Sequence, residues 1–159
     1  MKPTARLLRD PVHFLALGAG AGLAPRAPGT AGSLLALPFA WLLLEWPLAW
    51  RIAVVAAVCV AGVAICGASA RKLGVHDHPA IVFDEIAGLL ATSLVLDSRP
   101  AMLFLAFVLF RIFDIAKPWP IRDADHRLRG GMGIMLDDLM AAAYAAVCLR
   151  AIDVLLLAT

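Results

Sequence analysis

Apolar positions in this chain come in long blocks rather than in alternation. After a polar start over residues 1–10 (MKPTARLLRD), apolar stretches run over residues 34–50, 52–70, 86–96, 100–110 and 139–157. The second, IAVVAAVCVAGVAICGASA, holds 19 uncharged residues, which at about 1.5 Å per residue just crosses a hydrocarbon core of about 30 Å. The first is broken late by Glu45 and Pro47. The third and fourth are shorter, with Asp97, Ser98, Arg99 and Pro100 as a turn between them, and a hairpin that only partly enters the bilayer is the other reading of that pair. The last is interrupted by Arg150 and Asp153, spaced i,i+3 to pair on one helix face. Backbone that faces lipid must satisfy its own hydrogen bonds, so these blocks are expected to be helices. Small residues such as Ala57, Ala61, Gly62 and Ala64 suit close helix packing. The expected fold is all-α: one membrane-embedded domain over residues 1–159, a polytopic integral membrane helical bundle.

Composition strengthens that reading. The 159 residues are 62% hydrophobic and 16% charged, with a mean hydropathy of +0.87. A soluble domain is about 45–50% apolar and about 25% charged. The net charge of +2 is too small to suggest a nucleic-acid partner. Cys59, Cys66 and Cys148 lie inside apolar stretches without metal-ligand spacing and read as small buried hydrophobes. The basic start followed by VHFLALGAGAGLA resembles a signal peptide, but the run is glycine-rich, contains His13 and leads straight into a polar motif, which argues against cleavage.

Charge placement sets an orientation. With an inside N-terminus and crossings at 34–50, 52–70, 86–97, 100–114 and 139–157, the inner segments hold Lys2, Arg6, Arg9, Arg26, Arg71, Lys72, Arg111, Lys117, Arg122, Arg127 and Arg129, and the outer loops hold only Arg51 and Arg99. That bias predicts a cytoplasmic N-terminus. It also puts every unusual polar motif on the cytoplasmic face: APRAPGTAGSL (24–34), GVHDHPAIVFDEIAG (74–88) and FRIFDIAKPWPIRDADHRLRGGMGIMLDD (110–138).

Asp84–Glu85 opens one predicted helix and Asp137–Asp138 another. A single acid there reads as an N-cap or a partner for the helix dipole. Two adjacent acids, twice, beside Asp114 and Asp77, ask for more, because clustered carboxylates repel unless a cation sits between them. Hard oxygen ligands favour Mg²⁺, Mn²⁺ or Ca²⁺. Arg111 and Lys117 interleave with Asp114 and suit phosphate recognition, whereas Arg127 and Arg129 fit a belt for anionic headgroups. The glycines of PGTAGS, Gly29 among them, and of GGMGIM would let backbone N–H groups approach an anion, with Thr30 and Ser33 adding hydroxyl donors at a helix start. His76 and His78 flank Asp77; His76 is a candidate general acid, and an ordinary loop or Asp-orienting role is the other reading. Metal carboxylates, cationic clamps and a glycine-lined pocket at headgroup level suit metal-assisted chemistry on a phosphorylated lipid.

These three motifs, GLAPRAPGTAGSL, GVHDHPAIVFDEIAG and FRIFDIAKPWPIRDADHRLRGGMGIMLDD, resemble the phosphatidylglycerophosphatase A family, from about residue 12 to about residue 145. The resemblance implies a Mg²⁺-dependent all-α phosphatase of the bacterial inner membrane that converts phosphatidylglycerophosphate to phosphatidylglycerol and phosphate. Its acidic motif positions fall on Asp77, Asp84, Glu85, Asp114, Asp137 and Asp138, and its basic ones on Arg111, Lys117 and Arg122. Where the family usually has Ala-Gly after the paired acids, Ala141 and Ala142 stand here.

The mechanism expected from these residues places metal on Asp84, Glu85, Asp137 and Asp138, with Asp114 or Asp77 completing the shell, and charge stabilisation on Arg111 and Lys117. A carboxylate nucleophile, with Asp114 the candidate, is the competing route. The chain has no Cys-x5-Arg loop, no D-x-D-x-T/V motif, no PSGH-type signature and no D-G-x2-A-R motif, which removes four other phosphate chemistries. The remaining rival is a cation carrier or channel, which would place acids in mid-span.

Overall fold

A computed structural model describes residues 4–75, 78–96, 100–122 and 130–157. The described residues contain helices and no strand. A 3-10 turn, Ala5–Arg9, leads into α1 (Pro11–Ala16), and a second 3-10 segment, Gly18–Leu23, leads towards α2 (Pro28–Leu44). Then come α3 (Leu48–Leu73), α4 (Phe83–Thr92) with a 3-10 turn at Ser93–Val95, α5 (Pro100–Ala116) and α6 (Gly130–Leu157).

Local chemistry explains several boundaries. Asp10 caps α1 by accepting from the Val12 amide at 2.8 Å, with Pro11 in the first helical position. Asp10 also pairs with Lys72 at 2.5 Å, tying α1 to the last turn of α3 and holding the Asp10 carboxyl below its usual range. Pro28 starts α2, because its fixed φ suits a first turn whose N–H would be unbonded anyway. Glu45 to Pro47 make the short turn into α3.

Three boundaries differ from the sequence expectation. The first apolar helix begins at Pro28, not at residue 34, because the polar PGTAGS segment is itself helical. The last begins no later than Gly130, so GGMGIM is helical and is not a loop, and Asp137 and Asp138 sit inside the helix and do not open it. Glycine is a poor helix former, but packing outweighs propensity here: a methyl on Gly131 would overlap the Val63 carbonyl, and Gly67 faces it from α3. Arg51, assigned to an outer loop, lies in the first turn of α3, buried, and donates to the Ser93 carbonyl at 2.5 Å and the Leu96 carbonyl at 3.1 Å. It thus closes the carbonyl end of α4 and its 3-10 turn.

α6 packs along α3, α4 and α5, and α2 covers α4 from the other side. α4 is therefore enclosed, with Ala87, Leu89 and Thr92 fully buried. At 10 residues it spans about 15 Å, half of a bilayer core, so it does not cross one alone. α3 and α6 are the two described helices long and apolar enough to cross, and only 28% of each one's most apolar window is buried. Their apolar surface, with Val60 and Val147 among the most exposed side chains, faces outward.

Candidate active site

The chain runs to and fro so that one end of the bundle collects the starts of α2, α4 and α6 and the finish of α5. A cavity of about 270 Å³ lies there. Its polar wall is Asp84 and Glu85 from the first turn of α4, Arg111 and Asp114 from α5, Lys117 just beyond it, and Asp137 and Asp138 from α6. Ala27, Pro28 and Gly29 close it from the start of α2, and Pro79 and Ile81 from the segment before α4.

Within this wall the charges divide into two groups. One oxygen each from Asp84, Glu85 and Asp138 lie within 4.8 Å of one another. Asp84 Oδ1, Glu85 Oε2 and Asp138 Oδ2 are buried and accept no hydrogen bond. Such oxygens are costly unless a proton or a cation answers them. Burial pushes the Asp84 carboxyl well above its ordinary range, and the neighbouring Glu85 and Asp138 push it the same way. Burial likewise raises Glu85 to about 7, although Arg111 opposes the shift. An all-carboxylate donor set with orphaned oxygens fits a hard divalent cation.

The other two acids meet the cations, and Asp114 also lies against Asp138. Arg111 Nη1 lies 2.5 Å from Asp114 Oδ2 and 3.9 Å from Glu85 Oε1. Lys117 Nζ donates to Asp137 Oδ2 at 2.5 Å. Lys117 adopts a left-handed backbone, φ +41°, immediately after α5, while its amide still bonds the Phe113 carbonyl at 2.9 Å. Ala27, on the opposite wall, is also left-handed at φ +49°. Two non-glycine residues in that region around one cavity mark backbone held against its preference.

The other sequence candidates are distributed differently. Gly29 lines the cavity, and a methyl there would collide with the Glu85 carboxylate and crowd Arg111. Ser33 is buried and donates to the Gly29 carbonyl at 2.9 Å, a bond within its own helix that leaves the cavity aside. Thr30 does not line the cavity, and Arg122 is exposed outside it. His78 accepts from the Ala80 amide at 3.2 Å, a turn-forming contact. Asp77 and His76 lie outside the described residues. Sequence reasoning missed Ala27, Pro79 and Ile81, which carry no reactive group. Only the position of Ala27 before Pro28, where the right-handed helical region is disfavoured, marked it as unusual.

The chain is similar to known proteins over most of its length. The family model described as phosphatidylglycerophosphatase A matches residues 14–153. A phosphatidylglycerophosphatase A of Escherichia coli (strain K12) is 45% identical over 142 residues, 87% of this chain and 81% of that protein. One from Haemophilus influenzae is 41% identical over 151 residues, 92% of this chain and 91% of the relative. A Bacteroides thetaiotaomicron protein provisionally named a phosphatidylinositol-3-phosphatase is 35% identical over 147 residues, 84% of this chain and 88% of its own length. No solved structure matches significantly.

Proposed function

The chain belongs to the phosphatidylglycerophosphatase A family and is a phosphatase, and on that premise we propose that it hydrolyses phosphatidylglycerophosphate with Mg²⁺ held by Asp84, Glu85 and Asp138, at the cytoplasmic face of a bacterial inner membrane. The observation that carries this reading is the convergence of three buried carboxylates within 4.8 Å, beside Arg111 and Lys117, in one cavity. When bound, Mg²⁺ supplies a Lewis acid for phosphoryl oxygens and a water acidic enough to attack at neutral pH.

The chain's own residues do the rest. Arg111 and Lys117 bind the remaining phosphoryl oxygens and stabilise the charge that grows on them. Gly29, bare of a side chain, leaves room for phosphate against the amides that begin α2. Water adds to phosphorus, the bond from phosphorus to the glycerol oxygen breaks, and that oxygen takes up a proton to give phosphatidylglycerol. Asp137, paired with Lys117 at 2.5 Å, holds that ammonium towards the phosphoryl oxygens, and the proton that water loses is the one available to the departing glycerol oxygen. Asp114 is held at 2.5 Å by Arg111, which favours orienting that guanidinium over attacking phosphorus.

Several features support the membrane placement. The apolar faces of α3 and α6 look outward, where lipid would cover them. Trp46 and Trp50 are exposed around the start of α3, and Trp119 is exposed at the end that holds the site. Tryptophans at two levels suit the two interfaces of a bilayer. The excess of Lys and Arg at the site end supports the cytoplasmic side. An ion carrier is not favoured: the acids open into one cavity at one end of the bundle, and Asp153, near the far end of α6, is paired with Arg150 at 3.4 Å.

The test is phosphate release by purified protein in detergent, comparing phosphatidylglycerophosphate, phosphatidic acid and phosphatidylinositol 3-phosphate. The reading requires phosphatidylglycerophosphate to have the highest kcat/KM. Preference for either other lipid would overturn the substrate assignment, and absence of release from all three would overturn the chemistry.

A further inference from the structure

A second cavity, of about 330 Å³, opens on the side of the bundle between α2, α3 and α4. All of its lining residues are apolar, including Phe83, Ile86 and Leu90 from α4, Val54 and Val58 from α3, and Trp46 beyond the end of α2. Phe83 immediately precedes Asp84, and Ile86 immediately follows Glu85. The same first turn of α4 therefore presents carboxylates to one cavity and apolar side chains to the other. From Phe83 to Leu90 the groove descends about 10 Å along α4, and it continues to Leu43 and Trp46 at the opposite end of α2.

We propose that this groove binds one acyl chain of the lipid whose phosphomonoester occupies the carboxylate site. The inference rests on the lipid-phosphatase reading and adds to it the place where the tail is held. The chemistry of the occupant follows from the turn of α4 that the two cavities share, with Phe83 and Ile86 lining the groove and Asp84 and Glu85 lining the carboxylate site. A molecule with its phosphate beside Asp84 and Glu85, and with a long apolar tail, meets the groove within one helical turn. The shallower cleft between α2 and α5, lined by Leu37, Trp41 and Phe104, has no lining residue next to a site carboxylate. Binding the tail between helices fixes the headgroup's depth and orientation, so the apolar contacts act on positioning for the reaction.

The groove also explains an otherwise idle feature. Phe39 and Leu42 are exposed on the same side of α2, forming a rim through which a chain enters sideways from the surrounding lipid. No substrate has to leave the membrane to reach the site.

The experiment compares dipalmitoyl with dihexanoyl phosphatidylglycerophosphate in detergent, in wild type, in Val54→Trp, which fills the groove from α3, and in Leu42→Trp, which blocks it at the rim. Val60→Trp, on the exposed face of α3 outside the groove, is the control. The expected result is a fall of about tenfold in the ratio of kcat/KM for the long chain over the short one in a groove variant, the equivalent of roughly two buried methylenes, carried by KM. The control ratio stays at the wild-type value. Leu42 is an exposed rim residue, so its variant keeps the test decisive if Val54→Trp does not fold. An unchanged ratio in the groove variants, or an equal fall in Val60→Trp, overturns the groove while wild-type release leaves the phosphatase reading standing. Loss of release from both substrates in wild type overturns that reading itself.

Discussion

Arg111 is the side chain on which the two halves of the site depend, because it lies between Asp114 at 2.5 Å and Glu85 at 3.9 Å. Replacing it removes a charge from the phosphate and leaves two acids less compensated. Arg111→Gln is expected to lower kcat/KM by about 10²–10³-fold, measured as phosphate release at saturating Mg²⁺. Glu85 makes a second prediction, about pH. Its folded pKa of about 7 lies above the ordinary 4.5, so the metal-free fold binds this proton more tightly than the unfolded chain does. That contribution to stability is complete below 4.5 and is lost as pH rises to about 7. A cation must displace the same proton, so Mg²⁺ affinity should increase as pH rises through about 7, with proton release detectable by calorimetry in buffers of different ionisation heat. Affinity independent of pH between 6 and 8 would contradict it. At this scale the acids, Arg111 and Lys117 were legible in the sequence because adjacent acids and interleaved cations are hard to explain otherwise. Ser33 was misjudged because a hydroxyl in a helix can satisfy itself on the carbonyl four residues back, which no motif reveals.

Helix boundaries depend on contacts that a linear pattern does not contain. GGMGIM reads as a loop by propensity, yet Gly131 is placed in a helix by the approach of α3, whose Val63 carbonyl occupies the space of a side chain. Gly131→Ala should therefore separate α3 from α6 and cost about 1–3 kcal/mol, seen as a lowered Tm in detergent. A Tm equal to wild type would mean that the crossing is looser than described. Arg51 illustrates the same limit. Its charge suggested a loop, but its guanidinium is consumed by the Ser93 and Leu96 carbonyls at the end of α4. The helices themselves were legible from the apolar blocks. The short α4 was harder to read, because the eleven uncharged residues 86–96 suit a core helix as well as a hairpin in the bilayer.

For the whole molecule, the outward apolar faces of α3 and α6 and the gathering of charge at one end fit the proposed placement of the chemistry at a membrane surface. Arg26, beside the site, and Glu45, at the α2–α3 turn, are both exposed and lie at opposite ends of α2. In a cysteine-free background, an impermeant maleimide applied to intact cells should label Glu45→Cys, and should label Arg26→Cys only after lysis. The reverse pattern would invert the topology. The block pattern and the charge bias anticipated this gathering. They did not anticipate how the acids would divide, three together and two held by cations, because that depends on the crossing of α4, α5 and α6. The most direct test of the central claim is phosphate release from phosphatidylglycerophosphate by wild type and Asp138→Asn, each after EDTA treatment and again after Mg²⁺ is restored. The account predicts release from wild type that EDTA abolishes and Mg²⁺ recovers, and at least about a hundredfold less from a folded Asp138→Asn under both conditions. Full release in EDTA, or full recovery in the variant, would contradict it.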